Sequence, residues 1–245
     1  MANLVVDEGN TLCKIAVLDK NEVLCEMTAK EFDMAVVEPM LLQYRPEGAI
    51  VASTRGGAEL ICDELRKRVG RVLHFTSQTE VPIGIDYASR QTLGTDRIAV
   101  AVGVVCEMGI KDALVVDMGS AITFDIIENG VFKGGNISPG VAMRFRALHE
   151  FTASLPLCGA KEPSGAFGNT TTEAIEQGVM QGILHEIEGY VGRISTKNEK
   201  KSVIFCGGDA ESFVNRIKNA IFAPRKLMFT GLNRILEYNV SKNNI

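Results

Sequence analysis

The chain has 245 residues, of which 46% are hydrophobic and 23% charged, with a formal net charge of −4 and six cysteines. This fits one large domain or two domains of ~100–150 residues, long enough for a real core. The acidic balance argues against a broad nucleic-acid-binding face, which needs clustered basic charge. The longest apolar run, residues 98–106, falls well short of the ~20 residues of a membrane helix, and the opening Met1-Ala2-Asn3 lacks the basic start of a signal peptide. The expectation is a cytoplasmic protein with no nucleic-acid or membrane partner. Cys13, Cys25, Cys62, Cys106, Cys158 and Cys206 include no C-x-x-C pair and read as reduced, mostly buried thiols. His74, His149 and His185 form no ligand-spaced cluster, so a zinc site is not expected.

Taken in chain order, Leu4-Val5-Val6 reads as a buried strand that delivers Asp7 to the turn Glu8-Gly9-Asn10-Thr11. A strand ending in Asp-x-Gly-[Asn/Ser/Thr] suits phosphate and metal binding. The glycine lets backbone N–H groups reach an anion, and the carboxylate can hold a hydrated cation. In this loop Asp7 is suited to Mg²⁺ through water, Asn10 and Thr11 to phosphate oxygens, and Lys14 to charge neutralisation. The bland alternative is a hairpin turn with an Asx-type hydrogen bond. Residues 14–18 and 22–28 read as strands flanking the turn Asp19-Lys20-Asn21. Residues 29–42 read as a helix and 49–52 as a strand; after Gly56-Gly57, residues 58–69 have the period of an amphipathic helix. Arg66-Lys67-Arg68 reads as a solvated face.

Leu93-Gly94-Thr95-Asp96-Arg97 opens a helix over 97–108 that is apolar nearly all round and is expected to be buried at the junction between halves. Thr95 or Asp96 is the expected N-cap. Capping does not need Arg97, however, and an Asp-Arg pair entering a buried helix is costly unless it has a task. Asp96 is suited to accept a hydroxyl proton while Arg97 binds an anionic group.

The opening pattern then returns as Leu114-Val115-Val116-Asp117-Met118-Gly119, followed by Ser120-Ala121-Ile122-Thr123. Residues 123–127 form the next expected strand, Asn129-Gly130 a hairpin turn, and Val131-Phe132 resume the sheet. Gly134-Gly135-Asn136-Ile137-Ser138-Pro139-Gly140 reads as a strand-to-helix connector, with Pro139 opening the helix and a secondary role in ligand contact. Thr171-x-Glu173 is chiefly a capping signal for a helix over 172–195. Residues 197–201 read as solvated, 202–206 as a buried strand, Gly207-Gly208 as a sharp turn and 210–220 as a helix. The order β-β-β-α-β-α, used twice, points to an α/β protein of two duplicated ribonuclease H-like domains, residues 1–110 and 111–245, joined at Gly109-Ile110-Lys111-Asp112. The nucleotide is expected in an interdomain cleft.

Asp7-x-Gly9-Asn10-Thr11, Gly94-Thr95-Asp96-Arg97, Asp117-x-Gly119-Ser120-Ala121-x-Thr123-x-Asp125 and Gly134-Gly135-x-Ile137-x-Pro139-Gly140 stand in the order seen in type III pantothenate kinases. Leu155-Pro156, Thr171-x-Glu173 and Gly207-Gly208 extend the resemblance over nearly the whole chain. It implies an actin-like fold and ATP-dependent phosphorylation of the primary hydroxyl of pantothenate, the first step towards coenzyme A. By resemblance, residues 7–14 form the first phosphate loop, and Gly119 and Ser120 belong to the second. Asp96 is the general base, and Asp117 is the ligand of a monovalent cation, K⁺ or NH₄⁺, used beside Mg²⁺. Tyr87, Gly94, Thr95, Asp96, Arg97 and Thr171 fall at the pantothenate pocket, and Gly207-Gly208 at the adenosine end. The resemblance also implies a homodimer with the pocket near its interface. Four positions depart from the pattern: Glu8 replaces an uncharged residue, Ser89-Arg90 replaces Asn-Pro, Ser120 replaces threonine, and Thr170 replaces Asn or Asp. The last leaves Thr170, Thr171 and Thr172 as alternatives for one contact. Competing readings are a kinase for another small alcohol and a non-catalytic nucleotide-binding regulator.

Overall fold

The two Leu-Val-Val-Asp runs become the central strands of two sheets in the computed structural model, which describes residues 2–162, 165–194, 201–223 and 226–245. The chain divides into two compact units. One comprises Met1–Lys111, Glu128–Lys133 and Arg225–Ile245, and the other Asp112–Ile127 and Gly134–Pro224.

In the first unit β1 (Ala2–Glu8), β2 (Cys13–Asp19) and β3 (Glu22–Ala29) form an antiparallel meander. Helix α1 (Met34–Tyr44) leads to β4 (Gly48–Ser53), which pairs in parallel with β1. Helix α2 (Ala58–Arg66) then leads to β5 (Arg71–His74), giving the order β3-β2-β1-β4-β5. β1 and β4 are almost wholly buried, as central strands covered on both faces must be, whereas the edge strand β3 alternates. Helix α1 starts later than the expected residue 29 because β3 runs through Ala29 and Asp33 caps the helix, accepting the Ala35 N–H at 2.8 Å. Helix α2 buries Ile61, Cys62 and Leu65, while Arg66 pairs with Glu59 and Asp63 in solvent. The short β6 (Gly84–Ile85) precedes α3 (Thr95–Val102), which is buried from Arg97 to Val102. The expected continuous helix changes pitch here: Gly103–Glu107 is a π-helical turn.

The second unit repeats the plan. β7 (Ala113–Met118), β8 (Ala121–Glu128) and β9 (Val131–Pro139) make the meander, and the turn between β8 and β9 has positive φ at Asn129 (51°) and Gly130 (73°), as a tight hairpin turn requires. After α4 (Val141–Glu150) and α5 (Thr171–Ile194), β10 (Ser202–Cys206) pairs in parallel with β7; α6 (Glu211–Val214) leads to β11 (Ala220–Phe222), parallel to β10. The order β11-β10-β7-β8-β9 is that of the first sheet read in the other direction, so the duplicated ribonuclease H-like reading holds strand by strand. The tip of the β8–β9 hairpin groups with the first unit, where Val131 and Phe132 pair with Gly84 and Ile85.

Two expectations in this unit are corrected. Residues 134–139 continue β9 and do not form a connector; Pro139 ends that strand, Gly140 is the N-cap, and α4 opens at Val141. The helix expected over 210–220 shrinks to α6, because Ala220 is already paired with Val203 in the sheet. Ser195, the expected end of α5, and residues 197–200 lie outside the described residues.

The last helix, α7 (Leu227–Ser241), returns to the first unit and packs on α3. Asn3 Nδ2 donates to Asn233 Oδ1 at 2.8 Å, and Asn233 Nδ2 donates to the Lys20 carbonyl at 2.8 Å. The burial of α3 therefore has its partner in α7, a helix from the C-terminal end of the chain that belongs to the same compact unit. No described helix is long and apolar enough to cross a membrane.

Candidate active site

The first loop is built where β1 and β2 part. Asp7 stands one residue before the end of β1 and is only 6% exposed, while Asn10, Thr11 and Lys14 stand exposed, with Lys14 directly opposite Asp7 in the ladder. Gly9 N–H donates to the Leu12 carbonyl at 3.0 Å, closing a tight turn. The strand thus holds a carboxylate in a dry position and offers amide and hydroxyl groups beyond it. β4 reaches this loop as well. Thr54 N–H donates to the Glu8 carbonyl at 2.9 Å, and the Arg55 guanidinium donates to the Asn10 carbonyl at 3.1 Å. Ser53, Thr54 and Arg55 carry no local signal of this role, which depends on the parallel register placing Ser53 beside Glu8.

The second centre lies at the start of α3 in the same unit. Gly94 is the N-cap and bonds through no side chain, so neither Thr95 nor Asp96 is the cap. Asp96 sits inside the first turn, where its Oδ1 accepts the Arg97 N–H at 2.8 Å. A Cβ at position 94 would lie 2.4 Å from that oxygen, so the carboxylate occupies the space a side chain there would fill. Arg97 is 6% exposed, and its guanidinium lies 5.9 Å from the Tyr87 ring and 5.5 Å from the Phe132 ring. The two rings meet edge to face, 6.0 Å apart. This aromatic frame orients a buried cation and supplies favourable cation–π energy. Phe132 was legible only as a strand residue, because its approach to Tyr87 follows from the pairing of β9 with β6.

In the second unit Asp117 and Gly207 come together. Cys206 pairs with Asp117 across β10 and β7, and the chain turns at Gly207 with φ 91°. A Cβ on Gly207 would lie 2.5 Å from Asp117 Oδ1 and 2.4 Å from the Met118 carbonyl, so only a glycine backbone passes this close. Gly208 faces open space. Gly119 and Ser120 are exposed, with Gly119 N–H bonded to the Ala121 carbonyl at 3.0 Å. Gly140 supports this loop from behind, donating its N–H to the Ser120 carbonyl at 3.2 Å. Burial holds Asp209, just past the turn, above the usual carboxylate range.

Thr171 stands on the wall of an apolar groove of about 780 Å³ between α4 and α5 that also includes Arg144, Leu148, Phe151 and Val179. Thr170 is used otherwise: its hydroxyl accepts the Glu173 N–H at 3.2 Å while the Glu173 carboxylate accepts the Asn169 N–H at 3.0 Å. The capping signal is thus Thr170-x-x-Glu173, and Thr171, expected to carry it, is already the first residue of α5. At the groove's rim Arg144 donates to the Pro139 carbonyl at 2.8 Å and to the Glu186 carboxylate.

A family model described as type III pantothenate kinase matches residues 3–193. The type III pantothenate kinase of Azobacteroides pseudotrichonymphae is 38% identical over 236 residues, which cover 96% of each chain. Among solved structures, a conserved putative Baf family transcriptional activator from Campylobacter jejuni aligns with a TM-score of 0.64 at 25% identity, covering 97% of this chain and 99% of that one. The activator of 2-hydroxyisocaproyl-CoA dehydratase from Clostridium difficile, solved with bound ADPNP, aligns with a TM-score of 0.56 over 100% of this chain and 98% of its own; at 14% identity this likeness concerns the fold. With the doubled β-β-β-α-β-α plan, two Asp-x-Gly loops and the Gly94-to-Arg97 turn in place, these matches show that the chain belongs to the type III pantothenate kinase family.

Proposed function

We propose that the two loops and the Asp96 centre divide one phosphoryl transfer among them. As a member of its family, the chain phosphorylates the primary hydroxyl of pantothenate with ATP, in the first step of coenzyme A biosynthesis. In our reading the N-terminal half, residues 1–110, contributes the first phosphate loop and the general base, and the C-terminal half, residues 111–245, the second loop and the adenosine end. Gly9, Asn10, Thr11 and Lys14 hold one set of phosphate oxygens, Gly119 and Ser120 the other, and Gly207-Gly208 leave room for the nucleoside. Asp96 takes the hydroxyl proton. Arg97, with Tyr87, Gly94 and Thr95, receives the pantothenate carboxylate end, and Thr171 completes the pocket.

The observation that carries this reading is the geometry at the start of α3. One Asp96 oxygen is held by the Arg97 amide, which fixes the carboxylate for proton transfer, while the Arg97 cation is framed by Tyr87 and Phe132. Transfer of this kind depends on positioning and charge compensation more than on covalent chemistry. Asp7 would hold Mg²⁺ through water and Asp117 a monovalent cation, K⁺ or NH₄⁺; these ions neutralise phosphate charge when bound. The donor chemistry fits hard cations, for both are carboxylates at strand ends next to exposed loop groups. Among the described residues, no cluster of three or more His, Cys, Asp or Glu could hold a metal alone, so water and phosphate would supply the remaining ligands.

The homodimer reading draws on the α4–α5 groove and on exposed Phe151 and Phe167, which are 84% and 93% accessible. The cytoplasm is the compartment we propose, consistent with six cysteines that are all free. The name of the Campylobacter structure keeps a regulator as the second reading. ADP release with and without pantothenate, in potassium and then in sodium, separates the two. Pantothenate-dependent release that requires potassium supports the kinase; tight ATP binding without release supports the regulator. Asp96→Asn should lower kcat ~10²–10⁴-fold with ATP binding intact, and a wild-type rate would remove Asp96 as the base.

A further inference from the structure

Glu8, the last residue of β1 before the first loop, is buried at 8% exposure. A carboxylate in such a place needs compensation. It receives the Ser53 hydroxyl at 2.6 Å, its neighbour in the parallel ladder, and lies close to Gly57 at the N-terminus of α2. With its hydrogen committed to Glu8, the Ser53 oxygen accepts the Arg55 N–H at 3.1 Å. This fixes the turn after β4 and aims Arg55 back over the loop. The Arg55 guanidinium spans two carbonyls, that of Asn10 at 3.1 Å and that of Lys30 at 2.9 Å.

The Asn10 carbonyl matters because a trans peptide points its C=O and the following N–H in opposite directions. Fixing that carbonyl on Arg55 turns the Thr11 N–H away from the guanidinium. The second unit is built differently at this point. Ala52 and Cys206 occupy matching places beside Asp7 and Asp117, but Gly207-Gly208 follow Cys206 at once, whereas Ser53-Thr54-Arg55 come between Ala52 and Gly56-Gly57. The Cys13 thiol reports the same cluster: it is pushed up to about 11 by burial first, then by Glu8 and Asp7, with Arg55 opposing.

We propose that Glu8, Ser53 and Arg55 are positioning residues that preset the Asn10–Thr11 peptide of the first loop for nucleotide phosphate. This rests on the reading of that loop as a phosphate site. Preorganisation of this kind affects binding by sparing the loop an ordering cost when the anion arrives.

The test compares Arg55→Met, Arg55→Lys and Glu8→Gln in the full-length protein, with Thr11→Ala as the control for the loop itself. The readouts are Mg-ATP affinity by calorimetry, KM for ATP and for pantothenate, and kcat. Arg55→Met should weaken ATP binding and raise KM for ATP ~10-fold, the scale of one charged hydrogen bond, while KM for pantothenate and kcat stay within twofold. Arg55→Lys should recover part of the loss, because an ammonium reaches one carbonyl but does not span two. Glu8→Gln keeps shape and a hydrogen bond to Ser53, so it should fold and show a smaller shift in the same direction. If Thr11→Ala weakens ATP binding and Arg55→Met does not, the clamp is refuted and the phosphate loop stands. If neither matters, the reading of the loop fails and the clamp with it. A fall in kcat at unchanged KM would instead make Arg55 a transition-state contact and overturn the positioning role.

Discussion

Asp7 and Asp117 occupy the same place in two sheets of the same order, yet the structure supports their loops by different means. Next to Asp7 stand Glu8 and, across the ladder, Cys13; next to Asp117 the same places hold Met118 and Ile122. The first loop is tied down by side chains, through Ser53, Thr54 and Arg55 reaching from β4. The second is packed by backbone, with Gly140 and Gly207 pressed against residues 117–120 where no Cβ fits. A duplicated motif keeps its strand, carboxylate and glycine, because those set the loop's geometry. How the loop is braced is free to diverge, since hydrogen bonds from a neighbouring strand and close glycine packing restrain a backbone equally well.

The largest expected contrast is between the two carboxylates. Asp7→Asn should cost ~10²–10³-fold in kcat under any cation, the scale of losing a charge that organises the phosphates. Asp117→Asn should instead erase the difference between potassium and sodium in steady-state assays. Identical cation profiles for the two variants would abolish the proposed division of tasks. Next come the glycines. Gly140→Ala and Gly207→Ala place a Cβ 2.4 Å from a carbonyl oxygen. Each should cost ~2–3 kcal/mol and lower Tm by roughly 5–10 °C in thermal scans. Gly9→Ala meets only the Leu12 carbonyl, at 3.3 Å, and should cost under ~1 kcal/mol. Equal losses in both loops would contradict the backbone-versus-side-chain distinction. Gly208→Ala, facing open space, should be neutral to within ~0.5 kcal/mol.

A smaller effect concerns alkaline pH. Cys13 and Cys62 are buried thiols, both pushed up from 9.0 to about 11, chiefly by burial. Since the native state disfavours their thiolates, their contribution to stability is intact below pH 9 and is lost as pH rises through about 11. Urea midpoints should therefore fall above pH 9, and replacing both residues with valine should flatten that fall. The second loop has Ile122 where the first has Cys13.

Much of this architecture can be read from local sequence. Alternating and β-branched runs locate the meanders, Asn129-Gly130 specifies its hairpin, and the doubled Asp-x-Gly announces the duplication, because each depends on residues a few positions apart. Asp96 and Arg97 stood out because charge is out of place at the head of an apolar helix. The misreadings arose where a distant partner overrules local preference. Glycines at 134 and 135 look like a loop until β8 pairs with them, and residues 215–220 look helical until β10 draws Ala220 into the sheet. The apolar girdle of α3 correctly signals burial without naming its partner, which is α7, more than 120 residues away.

The sequence by itself therefore determined the duplicated α/β plan, the two strand-end carboxylates and the Gly94-to-Arg97 centre, since these are set by short-range pattern and by residue chemistry. Tertiary structure alone decided that Phe132 and Tyr87 frame Arg97, that Gly207 passes against Asp117, and that Arg55 reaches across to the first loop. The physical reason is common to all three. Strand pairing brings together residues tens of positions apart, and nothing in the neighbourhood of either residue encodes which partner the register will supply.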